Sequence, residues 1–179
     1  GPPVYPFQPE GAWLDATMGR FRYEVSVGSD LYRRSIYTFW RRSVGPTGMF
    51  DASKRRVCEV RSVRTNTPLQ ALTLMNDETF AEAAKMLADS AVSRHTAADD
   101  RVSSMFQRVL LRLPSEKELA VLTHQLRAHI DEYKRDLSAA AAVVSVGQSP
   151  VGTKDVQQIA AFMLLASTIL NLDEAITHE

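Results

Sequence analysis

The residues best placed to bind or react are Arg61, Arg64, Thr65, Asn66, Thr67 and Gln70, with Asn76 and Asp77 one short helix later. Asn, Thr and Gln side chains satisfy backbone groups of an irregular loop, and arginine bridges carbonyls and carboxylates. On one reading this network pins a loop onto the helix that follows it. On the other it lines a polar pocket at a helix N-terminus, suited to an anion or a cluster of sugar hydroxyls. The ligand-binding candidates are therefore Asp51, Arg61, Arg64, Thr65, Asn66 and Asn76.

Reactive groups are sparser. Cys58 sits among Arg55, Arg56, Arg61 and Arg64, a setting that lowers the pKa of an exposed thiol. It has no fixed histidine partner, so a small packing residue is the favoured role. Carboxylates for hydrolytic work are Asp51, Asp173 and Glu174, but the last two, adjacent on a helix, point apart. His124 and His129 are five residues apart, about 140° around a helix, and cannot chelate one metal from it. No metal site is expected.

Other chemistries lose support. The chain has no G-x-x-x-x-G-K-[ST], G-x-G-x-x-G, H-E-x-x-H or G-x-S-x-G run. Its single cysteine excludes an internal disulfide framework and a zinc ribbon, and there is no C-x-x-C-H for covalent haem. No cofactor is expected in this chain. With 45% hydrophobic and 23% charged residues in 179, wholesale disorder is excluded too.

The charges are segregated. Residues 20–64 hold ten arginines and Lys54 against Glu24, Asp30, Asp51 and Glu59, a local excess of +7 in a chain of net charge zero. Such a segment serves either as a polyanion-binding face or as a set of internal partners for carboxylates. The expected division puts Arg33, Arg34 and Arg64 inside, paired first with Asp51, Glu59, Asp77 or Asp173. Arg20, Arg22, Arg42, Arg55 and Arg56 are then solvated.

These residues need elements to position them. Residues 1–19 carry four prolines and read as a loop, and RFRYEVSVG alternates as a short strand or extended strap ending at Gly28. DLYRRSIYTFWRR has a helical stripe of Leu31, Ile36, Phe39 and Trp40 with Asp30 as cap. FDASKRRVCEVRSVRTN is a long irregular connection, expected to be ordered and functional.

Everything after Thr67 reads as helix. Thr67, Pro68 and Gln70 form a capping box, and Asn76 is expected to cap the next segment. A third helix begins near Thr96 and stops before Pro114. Ser115 with Glu118 starts a long one whose apolar stripe runs from Leu119 to Val144. The last, from Asp155 to about Ala175, is apolar nearly all round and belongs at the centre of the core. The prediction is an all-α fold: a compact bundle of five to six helices with a long ordered loop and an extended N-terminal strap. It forms a single domain over 1–179, with an entry segment 1–29, an arginine-rich helix and loop 30–66, and a bundle 67–179.

Three runs together resemble a known family: LYRRSIYTFWRR, then FDASKRRVCEVRSVRTNTPLQAL followed closely by LMNDETF, then ILNLDEAIT. They are similar to the C-terminal part of the planctomycete-type secreted domain catalogued as domain of unknown function 1553. The resemblance implies an exported, extracytoplasmic parent with a cytochrome-c-like domain upstream, of which this chain is a C-terminal fragment. No signal peptide opens the sequence, and no run reaches the roughly 20 apolar residues of a membrane span. The resemblance brings no established catalytic residues, and it ties the family to organisms that degrade sulfated polysaccharides.

Two functions compete. The first is a non-catalytic helical interaction or scaffold module with an acidic or sulfated glycan as ligand and the upstream domains as partners. The second is a hydrolase-type domain acting on polysaccharide, its site built around Asp51, Arg64, Asn66 and the NLDE end. Nucleic-acid binding is disfavoured by a pI near 7.1 and by the lack of a helix-turn-helix or RNP sequence.

Overall fold

The computed structural model describes residues 2–8, 11–39, 66–152 and 155–177. It is all-α, as expected: eight α-helices and two short 3₁₀ turns occur among the described residues, with one isolated parallel bridge, Val4 to Thr38. The chain divides into two units, Gly1–Gln70 and Ala71–Glu179. The divide falls within helix α2 (Pro68–Asn76).

The first unit is built on aromatic rings. Helix α1 (Ala12–Thr17) buries Trp13, which stacks on Tyr23 with centroids 5.2 Å apart and also meets Phe21 and Phe39. Tyr5 closes the cluster against Tyr23 and Phe39. The alternation in RFRYEVSVG thus presents Phe21 and Tyr23 to one face, as a strand would. The segment is nonetheless an extended strap, tied by Ser26 N–H to the Tyr5 carbonyl (2.9 Å) and by Tyr5 N–H to Ser26 Oγ (3.0 Å). The Tyr23 hydroxyl donates to the Pro6 carbonyl at 2.7 Å, and burial raises its pKa.

The helix expected from Asp30 does not form over its described residues, 30–39. Two 3₁₀ turns, Gly28–Leu31 and Ser35–Tyr37, take its place, with Tyr32 at φ −101°, ψ 48° between them. The run IYTFW is β-branched and aromatic, weak in helix propensity. Its backbone finds better partners in the N-terminal loop: Val4 N–H donates to Tyr37 O (2.8 Å) and Phe39 N–H to Val4 O (2.7 Å). Ile36, counted as a core residue from its spacing, is 80% exposed. The long loop expected at 50–66 lies, up to Thr65, outside the described residues.

In the second unit, α3 (Glu78–Arg94), α4 (Ala98–Leu110), α5 (Glu116–Arg135) and α6 (Leu137–Val144) all pack on α7 (Val156–Leu170). Eight of the fifteen residues of α7 are buried, among them Ile159, Phe162, Leu165 and Ile169, so the apolar helix is central as predicted. A one-turn helix α8 (Asp173–Ile176) follows, because Asn171 and Leu172 break the segment read as continuous to Ala175.

Caps explain most boundaries. Thr67 and Gln70 exchange the two bonds of the capping box, Thr67 N–H to Gln70 Oε1 (2.6 Å) and Gln70 N–H to Thr67 Oγ1 (3.3 Å). Ser115 and Glu118 form the second box. Asp77, not Asn76, caps α3 by accepting from Thr79 N–H at 2.9 Å. The helix read as continuous from 116 to 144 breaks at Asp136, whose carboxylate accepts from Ala139 N–H and the Ser138 hydroxyl. A short acidic side chain offers the backbone a capping bond in place of a helical one. Those two bonds also hold its carboxyl below the usual range.

Candidate functional site

The sequence-predicted pocket is only partly within view. Asp51, Arg61, Arg64 and Thr65 lie outside the described residues, as do Cys58, Glu59, Arg42, Arg55 and Arg56. Asn66 and Asn76 are both exposed. The Asn76 amide donates back to the Leu72 carbonyl at 2.8 Å, closing off its own helix.

At the NLDE end, Asn171 caps α7 with its backbone N–H, and its side-chain amide donates to the Ala71 carbonyl at 3.4 Å. Glu174 is held by Arg112, through Nε at 2.8 Å and Nη2 at 2.6 Å. The same guanidinium binds Glu118 with Nη1 at 3.0 Å and Nη2 at 2.8 Å, and lies over the Phe106 ring. Arg112 holds both carboxyls low: Glu118, helped by Ser115, falls to about 2, and Glu174 falls below its ordinary value. A general acid needs the opposite shift. The geometry makes Glu174 an anchor for α8.

Two buried charges escaped the sequence reading. Glu82 and Lys85, on one face of α3 and each about 2% exposed, grip the connection between α6 and α7. Lys85 Nζ donates to the carbonyls of Val144 (3.3 Å) and Val146 (2.5 Å). Glu82 Oε1 accepts from the N–H groups of Gln148 (2.7 Å) and Ser149 (2.5 Å). Two turns on, Asp89 accepts from Gly152 N–H at 2.9 Å. Gly147, between the two gripped pairs, has φ +77°, and a Cβ there would meet Glu82 at 2.7 Å. Burial lowers the Lys85 pKa, and the Glu82 charge opposes that shift. The signal available in sequence was the i, i+3, i+7 spacing of Glu82, Lys85 and Asp89 on a helix otherwise rich in alanine.

The basic segment presents its described cations to solvent. Arg20, Arg22, Arg33 and Arg34 are all exposed, as expected for the first pair and contrary to expectation for the second. Among the described residues, Arg33 alone of the four has an ion pair, Nη2 to Asp30 Oδ1 at 2.9 Å, and its Nη1 reaches the Pro2 carbonyl at 3.5 Å. Its partner is thus the carboxylate three residues back and none of the four first sought. The 3₁₀ turns replace the helix on whose buried stripe that expectation rested, and both arginines face water. Tyr32, Ile36 and Tyr37 are exposed on the same short stretch.

No group of three or more metal-ligating side chains occurs among the described residues, and none of their helices is long and apolar enough to cross a membrane. His124 is exposed, as expected. His129 lies partly buried on α5, its Nε2 without a hydrogen-bond partner, and burial lowers its pKa.

The family described as PSD1, protein of unknown function (DUF1553), matches residues 1–126, and the chain belongs to it. The match ends before the ILNLDEAIT run. No curated protein and no solved structure is similar to the chain.

Proposed function

We propose, taking membership of the DUF1553 family as the premise, that this chain is a non-catalytic interaction module of an exported multidomain protein, with an acidic or sulfated glycan as ligand. The observation that carries the reading is the exposure of Arg20, Arg22 and Arg34, three guanidiniums that take part in none of the ion pairs among the described residues. Unpaired surface arginines on a segment of formal excess +7 create a positive field, and guanidinium matches sulfate and carboxylate with two parallel donors. In the second unit several charges hold structure: Lys85, Glu82 and Asp89 fasten a loop, and Arg112 fastens α8. The first unit offers the ligand surface, and the second is the helical scaffold.

A glycan array that includes sulfated polysaccharides tests this. Retention of sulfated and uronic-acid chains over neutral ones, lost in high salt, is expected. Equal binding of neutral and sulfated chains, or none of either, contradicts the reading.

A further inference from the structure

The stretch Tyr32–Tyr37 sets two rings on either side of two adjacent arginines, on a short, tethered piece of backbone. Tyr32 is 57% exposed, Tyr37 39% and Ile36 80%, with Arg33 and Arg34 between them. The tether has two ends. Tyr32 N–H closes the first 3₁₀ turn on the Ser29 carbonyl at 3.2 Å, and Tyr37 N–H closes the second on Arg34 O at 2.9 Å. Beyond it, the Tyr37 carbonyl accepts from Val4 N–H, and Phe39 docks in the aromatic cluster. The Asp30 carboxylate holds the Arg33 side chain in one orientation. The stretch is therefore organised before any ligand arrives, which reduces the entropy lost on binding.

We infer that this turn is the ligand-contact element: an anionic sugar chain seats the C–H faces of its rings on Tyr32 and Tyr37 and its sulfate or carboxylate groups on Arg33 and Arg34. The inference deepens the proposed function and rests on it. Tyrosine supplies a flat apolar face with a polar edge at little entropic cost, and the guanidinium supplies the paired donors an anionic substituent needs. Charge complementarity selects a polyanion. The two rings flanking the cations select one whose units carry both a flat apolar face and an anion. A bilayer surface is less well matched, since Ile36 is the one aliphatic side chain from 32 to 37.

The test compares Tyr32→Ala with Tyr37→Ala combined, the same pair as Phe, and Arg20→Gln with Arg22→Gln combined, against a heparin oligosaccharide at several salt concentrations. Thermal melts verify that each variant folds. The double Ala variant should lose affinity by about tenfold with an unchanged salt slope, and the double Phe variant should regain most of it. The arginine variant should instead flatten the salt slope, without abolishing it. Wild-type affinity in the double Ala variant, with loss in the arginine variant, would overturn this inference and leave the polyanion reading standing. No binding by the wild-type chain would remove both. Preferential binding to phosphatidylserine vesicles, abolished by Ile36→Ser, would replace the sugar chain with a lipid surface and overturn the inference.

Discussion

The Lys85 ammonium reaches the main-chain carbonyl of Val146, 61 residues later in the chain, at 2.5 Å. That bond spans the whole of α4 to α6 and sets where the chain turns back towards α7. With Glu82 on the neighbouring N–H groups, it replaces regular hydrogen bonding in a loop that would otherwise bury bare backbone.

Breaking this grip should cost more than any surface change. Lys85→Met leaves the Val144 and Val146 carbonyls without their buried donor, and we expect a loss of about 1–3 kcal/mol in urea melts. Gly147→Ala forces a Cβ onto Glu82 at a positive φ, and should cost about 1–3 kcal/mol. A change under about 1 kcal/mol in both variants contradicts the latch.

The central position of α7 predicts a second contrast. Phe162 is 1% exposed at the heart of the core, so Phe162→Ala should lose about 3–5 kcal/mol. Val121, on the outer face of α5, should tolerate Ala within about 0.5 kcal/mol. Denaturant midpoints of the two variants check the ranking.

Acid should weaken the second unit in two separate windows. The folded pKa of His129 is depressed by burial, so the unfolded chain takes up its proton more readily. The stability this confers is complete above the unfolded value near 6.5 and is lost as pH falls from there towards the folded pKa. Glu118 behaves likewise lower down, with stability present above about 4.5 and lost as pH falls to about 2. Melting temperatures measured between pH 7.5 and 5 should fall for the wild type and stay flatter for His129→Gln. An identical fall in both rules His129 out as the group responsible.

The caps and the core were legible before the fold was known. Thr67 with Gln70 and Ser115 with Glu118 announce two helix starts, because each carries its own hydrogen-bond partners within four residues. The all-round apolar surface of α7 likewise points to the centre. What could not be read depends on distant chain. Ile36 keeps helical spacing, yet Val4 claims the backbone beside it and turns the segment into 3₁₀ turns. The apolar stripe of α5 continues through α6, and periodicity alone does not register that Asp136 caps anew between them. Glu82 and Lys85 look like solvated helix charges until the 144–149 loop is laid over them. Of the candidate site, the exposure of Arg20 and Arg22 followed from local charge density. That of Arg34 depended on a helix that does not form over residues 30–39.

The most direct test of the account measures the affinity of this chain for heparin as a function of salt, wild type against Arg20→Gln, Arg22→Gln and Arg34→Gln combined. These residues are exposed and hold no described ion pair, so the melting temperature should be unchanged. Affinity should fall by at least tenfold at low salt, and the slope of log affinity against log salt should flatten by about one unit for each guanidinium–sulfate pair removed. A triple variant that binds heparin as tightly as the wild type, with the same slope, contradicts the central claim.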